Sequence, residues 1–241
     1  MGIGIDCLSS EELYSRLQSL ISDDKKHLIT YVNVHTMNLA YHNASLREAY
    51  AESTITYCDG AGVKLGARIN GKYIPEHMPA ATIIHGLSAR WEEDGVRIFF
   101  LGGLPGVATK ACETLRHLYP RLQIVGEMDG YFKRDCAEEE AVLSTISEAH
   151  PDILFIGFGT PLQEHWVLKN WSRLDAHIIW PIGELVDYLS GRVPRCPKIM
   201  ERYSLEWLFR LFIEPRRMFV RYVIGNPLFL FRSFLERLRE S

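Results

Sequence analysis

The run Ile153-Leu154-Phe155-Ile156-Gly157-Phe158 has no polar side chain in either phase of a two-residue alternation. A strand that is apolar at every position must be covered on both faces. That is the situation of a strand inside a parallel sheet flanked by helices. Further strand-like runs are read at His27–Val34, Thr54–Cys58, Val96–Leu101, Leu122–Val125 and His177–Ile182. Helix-period segments lie between them, at Thr36–Ala51, Gly62–Ile69, Ala80–Glu93, Gly106–Leu118, Ala137–His150 and Leu162–Trp171. This alternation predicts a Rossmann-like, doubly wound α/β fold with a mainly parallel sheet.

In such sheets ligands bind beyond the carboxyl ends of the strands. The segments that follow the strands are Asn33-Val34-His35-Thr36, Asp59-Gly60-Ala61-Gly62, Gly102-Gly103-Leu104-Pro105-Gly106, Asp129-Gly130-Tyr131-Phe132, Gly157-Phe158-Gly159-Thr160-Pro161 and Gly183-Glu184. All but the first contain glycine, which lets a backbone approach a ligand closely. Glycine here is also ordinary turn chemistry, so the signal lies in the accumulation along one edge. Asp59 is the acid to watch. A carboxylate just after a strand can deprotonate a hydroxyl, and Asp is equally favoured as a helix N-cap. Both readings stand at this point.

Several chemistries are excluded. The chain lacks GxxxxGK[ST], HExxH and GxSxG, so a P-loop, a zincin site and a hydrolase elbow are not expected. The five cysteines form no CxxC pair, which argues against disulfides and a zinc knuckle. Gly102-Gly103 followed by Glu127 keeps an NAD-type oxidoreductase as an alternative, although the spacing is not GxGxxG. Acidic residues Asp6, Glu11 and Glu12 interrupt the start, so no secretory leader is expected and a reducing cytosolic compartment is the default. No run is apolar and long enough to span a bilayer: Tyr222–Phe231 is ten residues between two arginines.

The net charge of −3 hides a division. From Arg192 onward fall eleven of the 27 Lys/Arg but five of the 30 Asp/Glu, which leaves the preceding body acidic. The same tail interleaves Trp207, Leu208, Leu211, Phe212, Phe219, Phe229, Phe231 and Phe234 with Arg210, Arg216, Arg217, Arg221 and Arg232. Pro215 and Gly225-Asn226-Pro227 are expected to cut it into about three short helices. Apolar faces bordered by arginine suit an interfacial amphipathic helix on an anionic surface. Packing of those faces on the body is the other reading.

Taken in order, CDGAGV (58–63), FFLGGLPGVA (99–108), YPRLQIVGEMDGYF (119–132), DILFIGFGTPLQEHW (152–166), SGRVPRCP (190–197) and LEWLFRLFIEPRRMFVRY (205–222) resemble the WecG/TagA/CpsF glycosyltransferases, glycosyltransferase family 26. The likeness runs over roughly residues 28–225. It implies an inverting, metal-independent transfer from a UDP-sugar to a saccharide on a polyprenyl diphosphate, for cell-surface or exported polysaccharide. It implies residues 1–195 as the catalytic body and 196–241 as an appendage that docks on the anionic inner face of the cell membrane and closes over the site. No cofactor beyond the UDP-sugar donor and no nucleic acid partner is implied; a homo-oligomer is compatible. By motif, Asp59 falls where the base is proposed and Gln163 where a substrate contact is. Asn33, Thr36, Gly102, Gly103, Gly130, Tyr131, Phe132 and Gly159 fall on donor-binding positions. Arg216, Arg217 and Arg221 are expected to stabilise the leaving diphosphate, with Arg195 a further candidate; lipid-headgroup attraction is the other reading of these arginines. The chain departs from the pattern at Tyr31, where family members often carry Thr.

Overall fold

The computed structural model describes residues 2–240. Its centre is one sheet of six strands: β1 (His27–Val32), β2 (Ile55–Cys58), β3 (Arg97–Gly102), β4 (Gln123–Met128), β5 (Ile153–Gly157) and β6 (Ile178–Pro181). The order is β2-β1-β6-β5-β3-β4 and every neighbouring pair is parallel. Each strand falls on a predicted run, trimmed or shifted by up to three residues at either end. The doubly wound reading holds.

Both faces of the sheet are covered, as the apolar strands demand. On one face Ile98, Phe100, Phe155 and Trp180 pack against α1 (Ser10–Ile21), α5 (Ala80–Asp94), α6 (Val107–Leu118) and α9 (Leu185–Leu189). On the other, Phe99, Leu101, Leu154 and Ile156 meet α7 (Ala137–Ala149) and α8 (Leu162–Asn170). Val32 and Cys58 meet α2 (Val34–His42), α3 (Ala44–Ala51) and α4 (Ala61–Ile69). Each large side chain buried this way is worth about 1.5–3 kcal/mol in hydrophobic transfer.

Two local expectations are corrected. The single helix read over 36–51 is two helices, because Asn43 turns extended and its Oδ1 accepts the N–H of Leu46 at 2.9 Å. An Asn side chain that caps competes with helix continuation at that position. A helix not anticipated, α1, is started by a capping box: Ser9 Oγ accepts from the N–H of Glu12, and the Glu12 carboxylate accepts from the N–H of Ser9 at 2.8 Å.

The tail contains α10 (Lys198–Arg202), α11 (Glu206–Ile213), α12 (Pro215–Met218), a π-wound stretch Phe219–Ile224 and α13 (Gly225–Glu240). Pro215 starts a helix as expected. Gly225-Asn226-Pro227 does not stop one; it marks the change from π to α winding. The tail returns to the body. Phe229 is 2% exposed and sits on Gly66 of α4, where an added Cβ would lie 2.6 Å from the ring. Asn38 Nδ2 donates to the Gly225 carbonyl at 2.8 Å, and Arg232 Nη1 donates to Asn38 Oδ1 at 2.9 Å.

Candidate active site

After β1 the chain leaves toward one face of the sheet, through α2. After β6 it leaves toward the other, through α9. Neighbouring strand ends whose connections part in this way open a crevice. The crevice here is a cavity of ≈ 810 Å³, floored by the ends of β1, β2, β5 and β6 and roofed by α11, α12 and the π-wound stretch. Its lining includes Asn33, Thr36, Asp59, Gly159, Arg195, Arg217 and Arg221.

Asp59 stands at the end of β2. Its Oδ2 accepts from Asn33 Nδ2 at 3.1 Å and its Oδ1 from the N–H of Ala80 at 3.3 Å. Asn33 is itself fixed from the other side. Its Oδ1 accepts the N–H of Thr36 at 3.1 Å while Thr36 Oγ1 accepts the N–H of Asn33 at 3.0 Å, a reciprocal cap on α2. The cap leaves only the amide nitrogen free to face Asp59. The two loops approach so closely that a Cβ on Gly62 would meet Val34 at 2.5 Å. Burial raises the Asp59 carboxyl above its ordinary range, against the lowering effect of Asn33, the Ala80 N–H, Arg221 and His77. A carboxylate so raised is a stronger base. Asp59 is not the N-cap of the helix that follows it, since Gly60 stands there without a side-chain bond. Its Oδ1 instead takes the N–H of Ala80, the first residue of α5, and its Oδ2 is the oxygen held by Asn33.

The tail arginines divide. Arg216 is exposed and does not line the cavity. Arg217 ion-pairs with Glu184 and reaches Glu214 at 3.2 Å. Arg210, 4% exposed, meets Glu184 at 2.9 Å and also pairs with Glu214 and the Tyr188 hydroxyl. Arg221 has no acidic partner among the described residues. Its guanidinium lies over Tyr222 at 5.5 Å and its Nε is buried without a hydrogen bond. His35 also lines the cavity; burial, with Arg221 and Arg217, lowers it to about 4, so it is neutral near pH 7. Arg195 Nη2 donates to Thr82 Oγ1 at 3.2 Å.

Gln163 lies outside the cavity and is fully buried. Its Oε1 accepts the N–H groups of Gly159 and Gly183, at 3.2 and 3.1 Å, and its Nε2 donates to Glu164 Oε1 at 2.8 Å. Both ends of the amide are thus spent: the oxygen braces the turns after β5 and β6, and the nitrogen holds Glu164 of α8. Gly102, Gly103, Gly130, Tyr131 and Phe132 also lie outside the cavity, forming a shelf at the ends of β3 and β4. A Cβ on Gly102 would meet Gly157 backbone at 2.6 Å, and Gly130 donates its N–H to Gly103 at 2.9 Å. Phe132 packs edge-on against Phe158 and Trp166, and Tyr131 is 70% exposed. Gly103 faces Val186 of α9, the helix whose Leu185 and Tyr188 line the cavity. Glu127, the acid of the dinucleotide alternative, is held by Arg116 at 2.8 Å.

Sequence reading did not single out His35, His77, Tyr188 or Glu184 as site residues. Glu184 had a signal, since it directly follows a strand end; its arginine partners lie 26 and 33 positions away and leave no local pattern. Tyr31, the departure from the family pattern, reaches under Gly183, where a Cβ would come within 2.6 Å of its hydroxyl. Burial, with Glu164 and Asp59, raises that hydroxyl and keeps it neutral.

Among the described residues no three His, Cys, Asp or Glu side chains are grouped as metal ligands. No described helix is long and apolar enough to cross a membrane. The family model described as Glycosyl transferase WecG/TagA/CpsF family matches residues 1–241, the whole chain. With a parallel α/β sheet and a strand-end cavity lined by a half-buried carboxylate and by arginines, this chain belongs to that glycosyltransferase family.

Proposed function

We propose that the protein is an inverting glycosyltransferase that moves a sugar from a UDP-sugar to a saccharide carried on a polyprenyl diphosphate, in the assembly of a cell-surface or exported polysaccharide. The observation that carries this reading is Asp59: a carboxylate with a raised pKa, aimed by Asn33 into a cavity whose other wall holds the unpaired Arg221.

The step is a single displacement. The acceptor hydroxyl gives its proton to Asp59 as its oxygen bonds to the anomeric carbon of the donor. The bond from that carbon to the diphosphate oxygen breaks, and UDP departs with the electron pair. The charge that grows on the leaving diphosphate is met by Arg221, with Arg217 beside it, so that no metal is needed. Donors already placed where charge develops are worth about 3–4 kcal/mol each in a dry site. In this reading the nucleoside lies along the glycine shelf near Tyr131, and Gln163 keeps the Gly159 and Gly183 turns in place beneath the sugar. The exposed apolar side of the tail rests on an anionic membrane, where the lipid acceptor is found; that places the protein peripherally on the inner face of the cell membrane.

The test pairs binding with transfer. Asp59→Asn should retain UDP affinity within about threefold and lose transfer by about 10²–10⁴-fold, the span of general base catalysis. Full transfer by that variant removes Asp59 as the base. UDP-sugars should raise the melting temperature with or without EDTA, by mass action on the folded state. Stabilisation by NAD alone would overturn the transferase chemistry proposed here.

A further inference from the structure

Resting on the reading of a nucleoside-diphosphate donor, we infer that Glu184 is a specificity-determining residue that restricts the transferred sugar to a neutral one, excluding uronic acids.

The argument is a charge inventory of the cavity wall. Four arginines line it: Arg195, Arg210, Arg217 and Arg221. Glu184 projects from the end of β6 and spans two of them, with Oε2 2.9 Å from Arg210 Nη1 and Oε1 paired to Arg217. Glu214 closes the group from the tail side, pairing with the same two arginines. Arg195 is engaged with Thr82. Of the three lining arginines that the tail supplies, Arg221 is the one without an acidic partner among the described residues, and the diphosphate is the anion with first claim on it. A second anionic group on the sugar then meets Asp59 and Glu184, and no tail arginine is left uncommitted to receive it.

The cost to such a sugar is twofold. A carboxylate drawn from water into a half-enclosed site loses hydration unless a cation replaces the water. Like charges placed together add repulsion, the usual means by which a site selects against a competitor. When the diphosphate draws Arg217 toward itself, Glu184 gains a free carboxylate oxygen. That oxygen accepts a hydrogen bond from a sugar hydroxyl and repels a sugar carboxylate. One residue thus favours the neutral ligand and disfavours the charged one.

The experiment measures calorimetric affinity of the full chain for UDP-glucose, UDP-N-acetylglucosamine, UDP-glucuronate and UDP itself. Wild type should bind UDP-glucuronate at least tenfold more weakly than the better of the two neutral sugars. Glu184→Gln keeps the shape and the hydrogen-bonding oxygen and removes the charge. It should narrow that gap to within about threefold, mainly by tightening UDP-glucuronate. Glu184→Asp, which keeps the charge, should retain the discrimination. The readout is a ratio, so a general loosening of the tail weakens all the ligands and leaves it unmoved. Equal binding of charged and neutral donors by wild type, or an unchanged ratio in Glu184→Gln, overturns the proposal. Failure of UDP itself to bind wild type rejects the donor class, an outcome that the UDP control separates from the other two.

Discussion

The body and the tail answer the same hydrophobic pressure in opposite ways. Up to Arg195, the large apolar side chains left exposed among the described residues are Tyr41, Leu65, Tyr73, Leu118, Tyr131 and Leu162, scattered over many elements. From Cys196 on there are thirteen, among them Phe212 at 76%, Phe219, Val220, Phe231 and Phe234. Scattered exposure is normal for a soluble surface; concentration in one segment marks an interaction face. Yet the tail also supplies Met218 and Phe229 to the interior and Arg221 to the cavity. One short segment therefore has a face that is protein core, a face that is cavity wall and a face turned outward. The sheet separates inside from outside strand by strand; the tail does so within single helical turns.

The largest effect should come from the docked face. Phe229→Ala removes a ring packed on Gly66 among Val32, Val34, Met37 and Val63. Deletion of a buried Phe costs about 3–5 kcal/mol. Chemical denaturation should show that loss. A cost below about 1 kcal/mol would mean that the tail is not part of the folded core, and the comparison above would fail.

Next is the wall. Arg221→Gln should lower kcat by about 10²–10³-fold, the range for removing one preorganised donor to developing charge. Arg216→Gln, on an exposed neighbour outside the cavity, should leave kcat within about twofold and weaken liposome binding slightly. Equal loss in both variants would assign these arginines to lipid attraction alone.

The sheet was legible because its signal is local. Runs such as Ile153–Gly157 declare burial on both faces by composition, and a carboxylate directly after β2 declares a place at the ligand edge. The tail was legible in composition but not in form: its arginines and aromatic side chains stand out in the sequence, whereas the break expected at Gly225-Asn226-Pro227 is absent, because the winding changes there from π to α without ending the helix. Partnerships were the hidden part. Nothing near Gln163 shows that its amide oxygen ties the turns after β5 and β6 together, and nothing near Arg217 shows that Glu184 holds it. Such pairings depend on which strand ends the topology makes neighbours.

The outward face should respond to polarity alone. Phe212→Ser, Phe219→Ser and Phe231→Ser combined should reduce binding to anionic vesicles by roughly tenfold or more, given about 25 cal/mol for each Å² of apolar surface no longer buried. The melting temperature should hold, because these side chains are exposed. Unchanged vesicle binding with a change of oligomeric state would give this face to a second copy of the chain instead of to lipid.

The smallest effect concerns His35, where tail and body meet. Burial and the two arginines Arg221 and Arg217 lower its pKa from 6.5 to about 4. The unfolded chain therefore binds a proton at His35 before the folded chain does. Stability from this group is present above pH 6.5 and is lost as pH falls from there toward 4. His35→Gln should flatten that part of the pH–stability curve, with little change at pH 8. Occupancy by UDP should have the opposite electrostatic effect, because an anion between Arg217 and Arg221 offsets their repulsion of imidazolium. Binding of UDP near pH 5.5 should then take up protons at His35, against the protons its own terminal phosphate loses between the arginines, so the readout is the difference between wild type and His35→Gln in how the binding enthalpy varies with the ionisation enthalpy of the buffer. No difference between the two would mean that the diphosphate lies too far from His35 to be felt, and would move its place along the cavity toward the glycine shelf.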